Sequence, residues 1–135
     1  MRRLILVVRY HLKRHVYETH GPLNIWIVMV IVDNKQALDL ELAKAKRTLV
    51  LFYASWCPHC IRFIPLFKEK TADLTLSIVQ VRMDDYDSPL WDDYEVATVP
   101  TVILFEDRKV SRRLDSLPGN CIKDEKFTAW LQEIK

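Results

Sequence analysis

Glycine is nearly absent: the 135-residue sequence contains two. With half of the residues hydrophobic and 28% charged, this excludes a disordered, low-complexity or repeat chain and leaves room for one domain with a real core. Cysteine is also scarce. Three is an odd number and too few to scaffold a small secreted domain, which leaves a reactive pair and one spare. No apolar run reaches the ~20 residues that a membrane-spanning helix needs. The longest, "LNIWIVMVIV" at 23–32, is shorter and contains an Asn. With "MRRLILVVRYHLKR" upstream it has the outline of a signal or signal-anchor, but no small-residue cleavage site follows it. The chain also lacks a strong net charge: +2 gives no reason to expect a nucleic-acid partner.

The charge that exists is unevenly placed. Residues 1–21 hold five Lys/Arg and one Glu, so the basic surplus is confined to the N-terminus and the rest is slightly acidic. Residues 1–27 therefore read as a basic N-terminal extension, open to explanation as an over-long start, a weak anchor, a disordered tail or an additional element. Residues 28–135 read as the folded domain, without a linker or internal repeat.

Along that domain the patterns alternate between strand and helix. Ile, Val and Trp dominate 25–32, a buried strand that "DN" stops. Asn34 suits the N-cap of a helix reaching Lys46, with Leu38, Leu42 and Ala45 on one face. "TLVLFYA" (48–54) is apolar without alternation, as in a central strand covered on both sides. A helix is predicted from Cys57 to Asp73, with Phe63, Phe67 and Leu74 inward, then a strand at 76–83. Six acids between Asp84 and Glu95 surround a short helix at 89–95. Strands follow at 100–106 and at 109–116, the second basic and alternating as an edge strand would be. Phe127, Trp130, Leu131 and Ile134 fall at i, i+3, i+4 and i+7 of a last helix, 123–134. The order is β-α-β-α-β-α-β-β-α.

The octapeptide "YASWCPHC" (53–60) carries the chemistry. Its two cysteines could be half a zinc site, a redox pair or two core residues. A zinc site needs a second ligand pair, whereas Cys121 is alone and His11, His15 and His20 lie in the basic stretch without cysteines. The redox reading draws on position. The pair follows a buried strand and opens a helix, where unpaired N–H groups and a partial positive charge stabilise a thiolate at Cys57. Pro58 occupies the first helical position, where its missing N–H costs nothing. His59 offers a further donor or positive charge near the Cys57 sulfur, and the thiolate is the nucleophile of disulfide exchange.

On these residues the chain resembles the thioredoxin family. "YASWCPHC" is similar to the family's active-site segment, and Pro58-His59 is the dipeptide of its bacterial periplasmic thiol oxidases. Pro65 matches the proline that kinks the active-site helix, and "ATVPT" (97–101) matches the loop ahead of the fourth strand. The similarity covers about 28–135. It implies an α/β thioredoxin fold, a central mixed sheet of four to five strands flanked by helices, with a cis Val99–Pro100 bond across from the cysteines. It also implies a Cys57–Cys60 redox disulfide in which Cys57 attacks and Cys60 resolves. Trp56, Pro58 and His59 tune the pair, and Thr98, Val99 and Pro100 dock the substrate strand.

The sequence departs from the family where thioredoxins bury an acid six residues before the first cysteine: Leu51 stands there, and Gln80 falls near the position of that acid's lysine partner. Water or His59 must then take the proton of Cys60. The acids of 84–95 lie at the cysteines' end of the sheet if the third strand parallels the second. They are either a solvated loop or a feature favouring basic clients. Trp91 is either core packing or groove wall, and Cys121 is a partly buried spare or a residue that traps clients.

The expected function is thiol–disulfide oxidoreductase, exchanging electrons with client proteins that carry disulfides or thiols. The redox partner is expected to be a thioredoxin-reductase-like enzyme or a glutathione-like thiol. No metal, organic cofactor or nucleic acid is implied, and the expected form is a cytoplasmic monomer. The rival reading is a non-catalytic thioredoxin-fold binding or adaptor module, which has no need of Cys57, His59 and Cys60 together.

Overall fold

The structure is a computed structural model that describes residues 15–20 and 26–135. Ten elements follow in order: β1 (His15–His20), β2 (Trp26–Val32), α1 (Lys35–Leu42), β3 (Arg47–Tyr53), α2 (Pro58–Thr71), β4 (Ser77–Arg82), α3 (Leu90–Asp93), β5 (Thr101–Glu106), β6 (Lys109–Asp115) and α4 (Asp124–Ile134). The strands form one sheet in the order β1-β2-β4-β3-β5-β6. β4 runs parallel to both β2 and β3, whereas β5 is antiparallel to β3 and to β6, so the sheet is mixed.

β3 lies in the middle of this sheet, and every residue from Thr48 to Tyr53 is buried. That explains its unbroken apolar run: both faces are covered, so neither side needs polar residues. Phe63 and Phe67 of α2 pack with Phe127 of α4, at ring-centroid distances of 4.9 and 5.9 Å from the Phe127 ring, which joins these two helices. Elsewhere the Tyr94 ring lies 5.4 Å from Phe52 and 5.6 Å from Phe105, with Lys35 of α1 above it. The four apolar positions of α4 are all buried, each contributing on the order of 1.5–3 kcal/mol. β6 is the exposed, basic edge, and it is joined to β5 through Asp107 and Arg108, both with positive φ as a tight hairpin turn requires.

The five expected strands are present, and β1 adds a sixth by pairing antiparallel with β2 from His15↔Ile31 to His20↔Trp26. It lies within the segment 1–27; the rest of that segment, apart from Trp26 and Ile27, falls outside the described residues. Asn34 caps α1 as expected, its side-chain oxygen accepting from the Ala37 N–H at 2.8 Å. The helix ends at Leu42 rather than Lys46, because the chain must turn into β3 at Arg47, and half-buried Ala45 sits in that turn. α2 likewise stops at Thr71, leaving Leu74 half-buried beyond its end.

Candidate active site

The site is built where β3 ends. A tight turn after Tyr53 is closed by the Cys57 N–H donating to the Ala54 carbonyl at 3.2 Å. Because β3 and β4 are parallel, with Tyr53 opposite Arg82, the chain leaving β4 arrives at the same edge. Asp84 there accepts from both the Ser55 N–H and the Ser55 hydroxyl at 2.7 Å. The Asp84 carbonyl also accepts from the Trp56 indole N–H at 3.2 Å. The first acid of the 84–95 run thus fastens the active-site turn to the neighbouring strand. Charge-assisted bonds of this kind are stronger than neutral ones.

Cys57 occupies the N-cap of α2 with an extended backbone (φ −91°, ψ 117°), and Pro58 follows at the start of the helix. No side chain caps this terminus, so its N–H groups can stabilise negative charge on the sulfur instead. The two cysteines differ in setting. Cys57 is 7% exposed and lines a groove, whereas Cys60, one turn into the helix, is fully buried. Burial pushes the Cys60 thiol up to about 12, with a smaller push from the hydrogen-bonded thiol of Cys57.

Across the groove the Val99–Pro100 peptide is cis, and the Val99 carbonyl accepts from the Cys57 thiol at a sulfur–oxygen distance of 3.7 Å. The loop is fixed from behind: the Thr98 hydroxyl donates to the Ser116 carbonyl at 2.6 Å, and the Ser116 N–H to the Pro100 carbonyl at 3.2 Å. The groove has a volume of about 360 Å³, with Trp56, Cys57, His59, Trp91, Thr98 and Val99 among its lining residues. Tyr86 and the loop Leu117–Gly119 complete it. The Trp56 ring stacks on Tyr86 with centroids 5.0 Å apart. Trp91 belongs to the groove wall as well as packing on the core, and its indole N–H donates to the Asp85 carbonyl at 2.9 Å.

Cys57, Cys60, Trp56, Pro58, His59, Thr98, Val99 and Pro100 therefore converge on one end of the sheet. Two features of the site have no local signal in the sequence. Tyr86 is one: it reads as an aromatic in an acidic loop until Trp56 is seen against it. The other is Cys121, whose sulfur contacts Nδ1 of His59. The imidazole expected to serve Cys57 is engaged by the third cysteine, 62 residues along the chain. Leu51 and Gln80 are buried register partners, and Gln80 donates to the Met29 sulfur at 3.5 Å. No carboxylate occupies that place. Among the described residues no group of three or more His, Cys, Asp or Glu side chains is placed to hold a metal ion.

The thioredoxin family model matches residues 29–133. The chain belongs to the thioredoxin family. It is 35% identical over 95 residues to a thioredoxin from Mycoplasmoides gallisepticum, covering 69% of this chain and 94% of that one. It is 34% identical over 100 residues to a thioredoxin from Chlamydia pneumoniae, covering 73% and 91%. Among solved structures, the fold superposes on Plasmodium falciparum thioredoxin with a TM-score of 0.65 at 19% identity, covering 78% of this chain and 98% of that one. As a member of the family the protein is a thiol–disulfide oxidoreductase, with disulfide-containing proteins as substrates and a reductase as its general kind of partner. The adaptor reading is not favoured. No helix among the described residues is long and apolar enough to cross a membrane.

Proposed function

We propose that Cys57 is the attacking nucleophile, Cys60 the resolving thiol, and the pair the electron carrier of this oxidoreductase. The Cys57 thiolate attacks one sulfur of a client disulfide, forming a Cys57–client bond and releasing the other client sulfur as a thiolate. Cys60 then loses its proton and attacks the Cys57 sulfur. The client leaves with both sulfurs reduced, and Cys57–Cys60 is oxidised. The dithiol of a reductase, or two molecules of a small glutathione-like thiol, then returns the two electrons and is itself oxidised to a disulfide. Sulfur carries every step, so no organic cofactor enters.

The observation that carries this reading is the inequality of the two cysteines. Cys57 lies on the groove at an uncapped helix terminus, whereas Cys60 is fully buried with its thiol pushed up to about 12. A thiolate forms where the helix end and an approaching client can meet it. Trp56, Pro58 and His59 tune that end of the helix. Thr98, Val99 and Pro100 hold the client strand, with the Val99 backbone the natural partner for an extended segment. The protein acts as a cytoplasmic monomer.

Insulin reduction driven by dithiothreitol tests the proposal. Turnover by the wild type that disappears in Cys57→Ser supports it. Tight client binding without turnover by the wild type contradicts it.

A further inference from the structure

The segment that follows β6 is pinned at both ends beside the cysteines. Ser116 is buried, and its hydroxyl donates to the Thr98 hydroxyl at 3.1 Å, which ties the start of the segment to the loop that carries Pro100. A tight turn comes next. The Asn120 N–H donates to the Leu117 carbonyl at 2.9 Å, around Pro118 and Gly119. Gly119 has φ +76°, as the second central position of a type II turn requires. Ile122 is buried in the core and ends the segment. Cys121 therefore stands between a closed turn and a buried anchor, with little freedom to move.

His59 has no such support from its own helix. It lies in the first turn of α2, half-buried at the groove that Cys57 also lines. Adjacent residues of a helix do not face each other, so Cys60 does not hold the ring. The Cys121 sulfur is the imidazole's one hydrogen-bond partner among the described residues, and it takes Nδ1. A thiol suits this place because it donates and accepts weakly: S–H donates to a bare Nδ1, and the sulfur accepts from a protonated one. The contact holds in either form of the ring. We propose that Cys121 is a positioning residue for disulfide exchange: fixed by its own segment, it keeps the His59 ring in the groove beside Cys57 and acts on the redox pair through that ring. The third cysteine is then neither a spare nor a trap for clients. This inference rests on the reading in which Cys57 and Cys60 carry the electrons and His59 tunes them.

The test equilibrates the full chain and its variants in buffers of reduced and oxidised glutathione. After acid quenching and alkylation, the fraction holding the Cys57–Cys60 disulfide is read by peptide mass, apart from any glutathione on Cys121. This gives the equilibrium constant for reduction of that disulfide. His59→Leu is expected to lower the constant about ten-fold, the loss of the ring altogether. Cys121→Ala leaves the ring without a partner and is expected to lower it about three-fold, on the scale of one hydrogen bond. Cys121→Ser keeps a group that donates and accepts, so it should stay within about 1.5-fold of the wild type. In the His59→Leu background, Cys121→Ala should change nothing further, because a residue that acts through another is not additive with it. Lost loop packing alone would lower the melting temperature and leave the constant where it was. The inference is overturned by a Cys121→Ala constant equal to or above the wild type, by a Cys121→Ser constant as low as that of Cys121→Ala, or by a loss that persists without His59. Each of these leaves the Cys57–Cys60 reading standing, whereas a wild type that forms no such disulfide takes down both.

Discussion

Leu51 of β3 and Gln80 of β4 are register partners in the buried centre of the sheet. Neither side chain can accept a proton at neutral pH, so the thiol of Cys60 has no carboxylate there to help it ionise.

The consequence is a steep pH dependence of the second step. Burial is the main reason that the Cys60 thiol is pushed up to about 12, and burial persists when Cys57 is joined to a client. Well below that value the thiolate fraction rises about ten-fold per pH unit. Collapse of a preformed Cys57–client mixed disulfide, followed by stopped flow from pH 6 to 9, should accelerate accordingly. Leu51→Asp should raise the neutral-pH rate and flatten the profile. The same shift acts on stability. The folded value lies above the ordinary 9.0, so the protonated thiol stabilises the reduced fold fully below pH 9 and loses that contribution as pH rises towards 12. The oxidised protein should lack this loss.

His59 and Cys121 are in contact beside the cysteines, and this sets an expectation for the redox poise. A donor or positive charge near the α2 terminus favours the thiolate form of Cys57, hence the reduced state, and so makes the pair more oxidising. His59→Leu should shift the reduction potential to a more reducing value by about 30 mV, equivalent to ~1.4 kcal/mol. Cys121→Ser preserves a polar partner for the imidazole and should stay close to the wild type. Glutathione equilibration measures both. The wild type is expected to be more oxidising than the roughly −270 mV of thioredoxin. A wild-type value at or below that would mean that the acids of 84–95 outweigh the helix terminus and His59.

We propose 28–135 as the catalytic domain. β1 is an edge strand that pairs with β2 alone, on the far side of β4 from β3, where the cysteines are attached. Deleting residues 1–24 should lower the melting temperature only slightly and leave insulin-reduction turnover within about two-fold, since edge pairs are individually weak. A large loss of turnover would show that the N-terminal segment supports the site.

Much of this architecture is legible in the sequence because it rests on local signals. The Asn34 cap, the unbroken run of β3, the spacing of Phe127, Trp130, Leu131 and Ile134, and the Trp-Cys-Pro-His-Cys segment each carry their physics within a few residues. β1 does not. "HVYETH" mixes polar and apolar residues, and it becomes a strand by meeting the open edge of β2. The end of α1 is equally obscure, because Ala43–Lys46 suits a helix until the turn into β3 is imposed. The contacts of His59 with Cys121, of Trp56 with Tyr86 and of Ser55 with Asp84 join distant loops. No periodicity encodes such contacts. The parallel pairing of β3 and β4 decides where the acids sit, and the sequence offered it only as a condition.

The central claim is the division of labour between Cys57 and Cys60, and trapping tests it most directly. A disulfide-bearing client is incubated with Cys60→Ser and, separately, with Cys57→Ser, and the products are resolved by mass under non-reducing conditions. Cys60→Ser is expected to accumulate a Cys57–client mixed disulfide, because the sulfur that would release it is gone, while Cys57→Ser accumulates none. A mixed disulfide on Cys60 in the Cys57→Ser protein, or normal turnover by that variant, would contradict the account.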